Sequence, residues 1–333
     1  MLFRSDIGCG MCAVRSSVTE IETEKLKKIM GKIREIVPLG HNKHNKKQDF
    51  NLMPLSDEMD LTEGIDNNKY PIISREWVNA LKSLGSLGGG NHFIEIQKGS
   101  DGYIWIMIHS GSRNLGKQVA DHYNKLAIKL NERWHSTVPA EWELAFLPIE
   151  STEAGNYLRE MKYCVGYAFA NRKLMMDRIK MAFAETLADI QSVEFDEMIN
   201  IAHNYAAFEN HFGENVIVHR KGATKADEGL TGIIPGSQGT KSYIVSGKGN
   251  PQSFKSCSHG AGRIMGRKAA EKNLDLQQEI DMLNSKGIIH AIRTKKDLEE
   301  APSAYKNIDV VMENQSDLVD IVTELSPMAL IKG

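Results

Sequence analysis

Side chains of metal-ligating type occur in several short motifs that are spread along the whole chain. They are Asp6 and Cys9 in Asp-Ile-Gly-Cys-Gly, His92 in Gly-Asn-His-Phe-Ile-Glu, His109 in His-Ser-Gly-Ser-Arg, His203 in His-Asn-Tyr, and His259 in Ser-His-Gly-Ala-Gly-Arg. Most of these motifs contain glycine, which lets backbone approach a ligand closely. A lone histidine after an apolar strand is more often a core residue, but a joint set of thiolate, imidazole and carboxylate is typical of transition-metal sites. The residue types alone favour zinc.

A second pattern combines flexible backbone with positive charge. The segment His259-Gly-Ala-Gly-Arg263 precedes an expected helix, whose first N–H groups would favour an anion. The segment Pro235-Gly-Ser-Gln-Gly-Thr240 adds hydroxyls, and Lys221 adds a cation. Ordinary turn chemistry explains most loops of this composition. Together with the metal-ligating set, however, the pattern indicates nucleotide or phosphoester chemistry.

A third motif supports an alternative function, that of a P-loop-type NTPase. The segment Gly111-Ser-Arg-Asn-Leu-Gly-Lys117 has the glycine and lysine spacing of a phosphate-binding loop, and it lies between an apolar strand and a helix. Gln118 then stands where such a loop needs a serine or threonine hydroxyl for Mg²⁺. The missing hydroxyl makes this alternative the weaker one.

Hydrophobic periodicity predicts the elements that must position these residues. Helical spacing predicts helices over 20–37, with Thr19 as the cap, and over 76–84, 118–134, 152–187, 261–272 and 304–325. Strands are predicted over 92–97, 103–109, 215–218, 232–234 and 242–245, and the second of them is apolar enough to be a buried central strand. The polar stretch 41–68 is expected to be a long surface loop. These elements predict an α+β fold in a single domain over 1–333, with a helical insertion over roughly 117–190.

The composition excludes several classes of protein. The 333 residues are 25% charged and 41% hydrophobic, which rules out disordered, collagen-like and coiled-coil chains. No apolar run approaches the ~20 residues of a membrane helix, and the first residues show no signal-peptide pattern. Four cysteines are too few for a disulfide scaffold, so a cytoplasmic location is expected. The net charge of −2 neither supports nor excludes a nucleic-acid partner.

Taken together, the motifs resemble those of the RtcB family of RNA-splicing and RNA-repair ligases. The matching segments occur in order: Asp6-Ile-Gly-Cys-Gly-Met11, Gly90-Asn-His-Phe-Ile-Glu95, His109-Ser-Gly-Ser-Arg113, His203-Asn-Tyr205, Arg220-Lys-Gly-Ala223, Pro235-Gly-Ser237, Ser258-His-Gly-Ala-Gly-Arg263 and Lys332-Gly333. They span nearly the whole chain, and nearly every one contains a chemically demanding residue. The resemblance implies one domain with a mixed β-sheet core around a deep metal and nucleotide cleft, because ligands from both ends must meet in one site.

The resemblance also implies an activity and a metal. Members of this family join RNA with a 2′,3′-cyclic phosphate or 3′-phosphate to RNA with a 5′-hydroxyl, using GTP and Mn²⁺ in tRNA splicing and RNA repair. Carried over to this chain, two Mn²⁺ ions rather than zinc would be held by Asp6, Cys9, His92, His109 and His203, with the Cys9 thiolate bridging them. His259 would be the nucleophile that takes GMP from GTP.

The resemblance further implies nucleotide contacts and partners. The residues that match guanylate-binding positions are Asn91, Glu95, Lys221, Ser237, Ser242, Ala261, Gly262, Tyr305 and Lys332. The implied partners are RNA, as tRNA halves or cleaved ends, and the small activator protein archease. Lys43, Lys46 and Lys47 are the expected contacts to RNA phosphates, through charge rather than base reading.

One departure from the family pattern motivates a second hypothesis. Family members normally carry an upstream segment with a Pro-Asp-Val-His signature before the Asp-Ile-Gly-Cys motif, whereas here only Met1-Leu-Phe-Arg-Ser5 precedes it. An N-terminally short chain of this kind is expected to expose a sheet edge. The alternative function is therefore a truncated, non-catalytic remnant that binds nucleotide or RNA.

Overall fold

The computed structural model describes residues 6–54 and 65–333, and within these ranges it shows an α+β fold, as predicted. The helices are Thr23–Ile36 (α1), Pro71–Ser83 (α2), Leu115–Arg133 (α3), Thr152–Leu187 (α4), Arg267–Asn273 (α5), Leu276–Ser285 (α6) and Ile308–Glu313 (α7). The strands are Gly10–Arg15 (β1), Phe93–Gly99 (β2), Ile104–Ser110 (β3), Ile199–Ala202 (β4), Asn204–His211 (β5), Glu214–Lys221 (β6), Ala223–Lys225 (β7), Thr231–Ile234 (β8), Ser242–Gly247 (β9), Ser256–Ser258 (β10) and Val319–Lys332 (β11).

Seven of these strands form one antiparallel sheet in the order β4-β1-β3-β2-β11-β9-β8. Its two edge strands, β4 and β8, approach each other, so the sheet nearly closes on itself. Parallel pairing in the described ranges consists of isolated bridges, Leu39 with Gly88 and Ile289 with Ala329. Strands β5 and β6 form a separate hairpin, and β7 pairs with β10.

The pleat of β3 decides which way the site residues face. All seven residues of β3 are buried, which confirms the predicted central strand. Ile104, Ile106 and Ile108 belong to the core cluster that packs against α1 and α4. Because successive side chains of a strand point to opposite faces, Met107 and His109 face away from that core. The imidazole is thereby directed to the other side of the sheet.

Near the C-terminus, one predicted helix is wrong and another has the wrong start. The range 304–325 contains only the short α7, and the residues after it form β11, a central strand between β2 and β9. Its register shifts between Pro327 and Ala329, and a bulge of this kind interrupts the plain alternation that identifies a strand from sequence. The predicted helix 261–272 exists but begins later, because Gly262 has φ +73° and Arg263 forms a bridge with Tyr305. The expected helix N-terminus after His259 is therefore absent, and α5 begins only at Arg267.

The other helices follow the sequence with shifted ends. Helix α4 has the predicted bounds, and the Ser151 side chain accepts from the Ala154 N–H at its start. Helix α2 begins five residues before its predicted start, at Pro71 in the first turn, where proline is tolerated. Helix α1 starts after Glu22 rather than Thr19. Of the predicted loop 41–68, residues 55–64 lie outside the described ranges. No helix in the described ranges is long and apolar enough to span a bilayer.

One buried carboxylate joins three helices. Glu160 on α4 accepts hydrogen bonds from the Ile72 N–H (2.7 Å) and the Ile73 N–H (2.8 Å) in the first turn of α2. It also accepts from the Tyr123 hydroxyl on α3 at 2.9 Å. Backbone N–H groups in the first turn of a helix have no partner within the helix, so the carboxylate satisfies two of them.

We expect Glu160→Gln to lower the free energy of unfolding by about 1–3 kcal/mol, because the amide presents a donor to groups that are themselves donors. Urea denaturation monitored by circular dichroism measures the change. Glu185→Gln on the exposed side of the same helix is the control, since its pairing with Lys32 at 3.1 Å is a surface ion pair of small energy. Equal effects of the two variants would contradict the assigned role of Glu160.

Candidate metal and nucleotide site

Five predicted metal ligands meet at one end of the sheet. Strands β1, β3 and β2 are neighbours, so Cys9 before β1, His109 on β3 and His92 before β2 come together. The Cys9 Sγ lies 3.3 Å from His109 Nε2 and 3.5 Å from His92 Nε2. His203 follows β4, and its Nε2 lies 3.4 Å from His109 Nε2. On the other side, Asp6 Oδ2 lies 3.8 Å from His92 Nε2.

The ligating atoms form two groups that share one sulfur. Cys9, His109 and His203 make one group, and Asp6, Cys9 and His92 make the other, with all ligand atoms of each group within 4.8 Å of one another. The resemblance implied two metal ions with the Cys9 thiolate between them, and these two groups could hold one ion each. The donor set of imidazole, thiolate and carboxylate is compatible with Mn²⁺ as well as zinc.

Burial keeps the three imidazoles neutral. It lowers the pKa of His92 and of His203 below the ordinary value, and it lowers the pKa of His109 to about 3. The His109 Nδ1 lies 2.9 Å from the Asn91 carbonyl oxygen. Because a carbonyl only accepts, Nδ1 carries the proton, and the lone pair of Nε2 faces Cys9 and His203.

The two anionic ligands behave in the opposite way. Burial raises the pKa of the Cys9 thiol and that of the Asp6 carboxyl. A protonated thiol does not bind a metal ion well, because the thiolate is the ligand. A divalent cation that enters the site must therefore displace the proton of the Cys9 thiol, whereas the neutral imidazoles need to lose none.

A buried guanidinium holds the metal-binding segments together. Arg172 on α4 is fully buried, and its Nη1 donates to the Gly8 carbonyl (3.2 Å) and the Ser110 carbonyl (2.9 Å). Its Nε donates to Asn200 Oδ1 on β4 at 2.7 Å. The Arg172 side chain therefore links three chain segments. The sequence analysis missed Arg172, because it stands inside a long helix without any motif.

The glycines of the suspected phosphate-binding loop have a packing role. A Cβ atom on Gly111 would lie 2.6 Å from Asp6 Oδ2, and one on Gly116 would lie 2.4 Å from the Ile7 carbonyl oxygen. Lys117 is on the exposed side of α3, with its Nζ 2.5 Å from Asp121 Oδ2. Close contact with the segment that carries Asp6 and Cys9 explains these glycines, and this argues against the P-loop alternative.

A cavity of about 220 Å³ opens beside the metal ligands His109 and His203. Seven of the nine predicted guanylate-binding residues line it: Asn91, Glu95, Ser237, Ala261, Gly262, Tyr305 and Lys332. The other two do not. Ser242 is buried behind the cavity and accepts from the Gly236 N–H at 3.2 Å, so it shapes the wall. Lys221 is exposed at the end of β6.

His259 stands between the cavity and the metal ligands. Its ring centroid lies 4.8 Å from that of His203, and the side chain lines the cavity. Burial lowers the pKa of His259, so the imidazole is neutral at pH 7. A Cβ on Gly222, which has φ +66°, would lie 3.0 Å from the ring, so this glycine lets the backbone pack directly against the imidazole. A neutral imidazole at this position can act as a nucleophile.

The far wall of the cavity carries a buried acid and a buried amine. Glu95 on β2 and Lys332 on β11 belong to adjacent strands. Burial raises the pKa of Glu95 to about 8 and lowers that of Lys332 to about 8. The Gln97 amide donates to Glu95 Oε2 at 2.5 Å. Such groups can offer an acceptor and a donor to the polar edge of a ligand.

Two charged residues that line the cavity, Arg267 and Glu300, were not among the predicted site residues. Arg267 belongs to a basic stretch that reads as solvated surface, and Glu300 to an unremarkable acidic one. Their place beside the cavity follows from the pairing of the chain around Arg263 with the chain around Tyr305, which the sequence did not predict.

Comparison with known proteins identifies close relatives of this arrangement. Residues 4–333 match the family described as tRNA-splicing ligase RtcB. The chain is 38% identical to the RNA-splicing ligase RtcB of Escherichia coli (strain K12), over 98% of this chain and 82% of that protein. It is 32% identical to the tRNA-splicing ligase RtcB of Nanoarchaeum equitans and 30% identical to that of Thermococcus kodakarensis, in each case over 98% of this chain and 80% of the relative.

We expect the affinity for Mn²⁺ to rise between about pH 6 and 8, by about tenfold per pH unit for each proton that the ion displaces. The raised pKa of the Cys9 thiol sets this sign, because its proton must leave, whereas the lowered pKa of the histidines removes competition from theirs. Calorimetric titration in buffers of different ionisation enthalpy counts the protons released.

Cys9→Ser should weaken Mn²⁺ binding and reduce the number of protons released. The matched control is Cys12→Ser, since Cys12 is an equally buried cysteine three residues away that belongs to the core packed against α1 and α4. Loss of Mn²⁺ binding in both variants, or none in either, would contradict the assignment of Cys9 as the shared ligand.

Proposed function

The chain belongs to the RtcB family of RNA-splicing ligases, and from that premise we propose that it joins RNA ends with GTP and Mn²⁺ through a histidine–GMP intermediate. The substrates are RNA with a 2′,3′-cyclic phosphate or 3′-phosphate and RNA with a 5′-hydroxyl. The observation that carries this proposal is the place of His259, a neutral imidazole between two groups of possible metal ligands and a cavity of about 220 Å³.

The first step is transfer of GMP to His259. A lone pair on a ring nitrogen attacks the α-phosphorus of GTP, a nitrogen–phosphorus bond forms, and pyrophosphate leaves with the electrons of the broken P–O bond. Because the imidazole is already neutral, no base is needed to prepare the attack. Asp6, Cys9, His92, His109 and His203 would hold Mn²⁺, which would supply charge stabilisation for the phosphate oxygens.

The second and third steps transfer the activation to RNA. A cyclic end is first opened by water, and an oxygen of the resulting 3′-phosphate attacks the phosphorus of the histidine adduct. This frees the imidazole and leaves GMP joined to the RNA end through a phosphoanhydride. The 5′-hydroxyl then attacks the RNA 3′-phosphorus, loses its proton, and expels GMP as the phosphodiester forms. In these steps the protein orients the reacting groups and excludes water. The buried position of His203 beside His259 favours both.

Glu95 and Lys332 fit the contacts that guanine requires. A carboxylate oxygen accepts from N–H groups on the Watson–Crick edge of guanine, and an ammonium group donates to its carbonyl oxygen. Both residues line the cavity on adjacent strands, so the sheet fixes the spacing between acceptor and donor.

Incubation with α-labelled GTP and Mn²⁺ should give a labelled protein that survives denaturing electrophoresis, because the bond is covalent. The label should be acid-labile and alkali-stable, as a phosphoramidate is. His259→Ala should reduce the label to background while Mn²⁺ binding persists, and Lys117→Ala should leave it unchanged. Loss of label in Lys117→Ala but not in His259→Ala would favour the phosphate-loop NTPase, and GTP binding without any adduct would favour the non-catalytic remnant.

The RNA-binding surface is proposed to include the loop with Lys43, Lys46 and Lys47, all of which are exposed. This loop begins at Gly40, whose carbonyl accepts from Arg113 Nη2 at 2.9 Å and whose N–H donates to the Gly88 carbonyl at 3.3 Å. It therefore starts beside the glycine segment that leads to His92, where an RNA end would enter.

Replacing Lys43, Lys46 and Lys47 by glutamine should weaken RNA binding and flatten its salt dependence, by about 2 in the slope of log K against log salt for single-stranded RNA. Fluorescence anisotropy at several salt concentrations gives the slope. The control replaces the exposed lysines 27, 28 and 125 and changes the net charge equally. If both triple variants shift the slope alike, the loop has no special role.

A further inference from the structure

A buried carboxylate joins three residues of the cavity wall. Glu300 is 1% exposed, and its Oε2 accepts from Arg263 Nη1 at 2.9 Å and from the Tyr305 hydroxyl. Its Oε1 accepts from Arg267 Nε at 2.6 Å. All four residues line the cavity in which the nucleotide is proposed to bind.

The backbone around Glu300 ties three loops together. The segment after His259 pairs with the segment that carries Tyr305, through the Ile264 N–H to the Ala304 carbonyl (2.9 Å) and the Lys306 N–H to the Gly262 carbonyl (2.9 Å). The Gln238 amide donates to the Glu300 carbonyl at 2.8 Å. Glu300 thus lies where these three walls of the cavity meet.

The two arginines bound to Glu300 differ in what they leave free. Arg263 uses its whole guanidinium inside the protein: Nη1 bonds Glu300, Nη2 donates to the Glu299 carbonyl, and Nε donates to the Met265 carbonyl. Arg267 uses only Nε, and within the described part of the chain its Nη1 and Nη2 have no recorded partner. Arg263 is therefore structural, whereas Arg267 presents two donors to a ligand.

The free edge of Arg267 lies between the cavity and the metal-binding segment. Its side chain is 49% exposed at the rim, and a Cβ on Gly90 would lie 3.5 Å from Nη2. Gly90 directly precedes Asn91 and His92. A phosphate that reached from the cavity toward the metal ligands would pass this guanidinium, whose fork of donors matches phosphate oxygens.

Glu300 is charged when it holds these groups. Burial alone would raise the pKa of its carboxyl, but nearby Lys332, the Tyr305 hydroxyl and the two arginines outweigh burial and hold that pKa below its ordinary value. A charged oxygen on Nε fixes the plane of the Arg267 guanidinium and therefore the direction of its free edge.

We propose that Glu300 is a positioning residue for the nucleotide, which aims the free Nη edge of Arg267 at a phosphate group of GTP. This inference rests on the proposed function, because it requires a nucleotide in the cavity. Glu300 itself need not touch the ligand, since both carboxylate oxygens are occupied by protein donors.

Glu300→Gln keeps the length of the side chain but removes the charge that fixes Arg267. We expect the Kd for GTP and the KM for GTP in adduct formation to rise about tenfold, the size of one lost charge-assisted hydrogen bond. The rate of adduct formation at saturating GTP should change little, because His259 is not held by Glu300. The affinity for Mn²⁺ should stay the same.

A double-mutant cycle separates positioning from general damage. If Glu300 acts through Arg267, then Arg267→Met alone should raise the Kd for GTP about as much as Glu300→Gln, and the double variant should be no worse than either. Additive effects would overturn the inference. Arg267→Met also keeps the test informative if Glu300→Gln folds poorly, since Arg267 is half-exposed.

The control for structural effects is Glu279→Gln. Glu279 is also buried, and its Oε2 accepts from the Ser303 N–H at 3.5 Å, so it supports the same segment from a position outside the cavity lining. Its replacement should leave the Kd for GTP unchanged.

A Glu300→Gln variant with unaltered Kd and KM would refute the positioning role and leave the proposed function standing. Absence of GTP binding by the unaltered chain would instead refute the proposed function.

Discussion

The site depends on one buried guanidinium. Arg172 has no carboxylate within 4 Å among the described residues, and its bonds go instead to carbonyls of Gly8 and Ser110 and to the amide of Asn200. The neighbouring Asn171 adds bonds to the Gly85 N–H (2.7 Å) and the Gly111 carbonyl (3.1 Å). Because a buried charge without hydrogen bonds is costly, these segments are held where they accept from Nε and Nη1, while Nη2 has no hydrogen-bond partner among the described residues. They are the segments that precede Cys9 and follow His109.

The same burial divides the site into two electrostatic halves. Among the predicted metal ligands, burial favours the neutral forms of the three histidines and of the Cys9 thiol. At the rim of the cavity, by contrast, Glu300 keeps its charge because Arg263 and Arg267 pair with it. Phosphoryl transfer in general requires that the negative charge of the reacting phosphate be offset and that its position be fixed. His259 stands at the boundary between the two halves.

The sequence predicted the parts of the site that are local. Glycine-bearing motifs made it possible to find Cys9, His92, His109 and His259. Strand β3 could be predicted because nearly all of its residues are apolar. Strand β11 could not be found, because a bulge at Pro327 disrupts its alternation and its pairing partners are β2 and β9, far away in sequence. Arg172 and Glu300 could not be predicted from the sequence for a similar reason. Each acts through contacts with chain segments distant in sequence, and nothing in its own neighbourhood distinguishes it from a helix or surface charge.

The walls of the cavity differ in how firmly they are fixed. Glu95 and Lys332 lie on paired strands in the middle of the sheet, so the ladder of backbone hydrogen bonds sets their spacing. The opposite wall, from His259 to Arg267, has no regular structure of its own and is held by an isolated bridge and by side chains that converge on Glu300. A sheet resists displacement as a unit, whereas this wall can move when a few polar bonds change. The wall that carries Glu95 and Lys332 is therefore fixed by the sheet, whereas the wall that carries His259 depends on a few polar bonds.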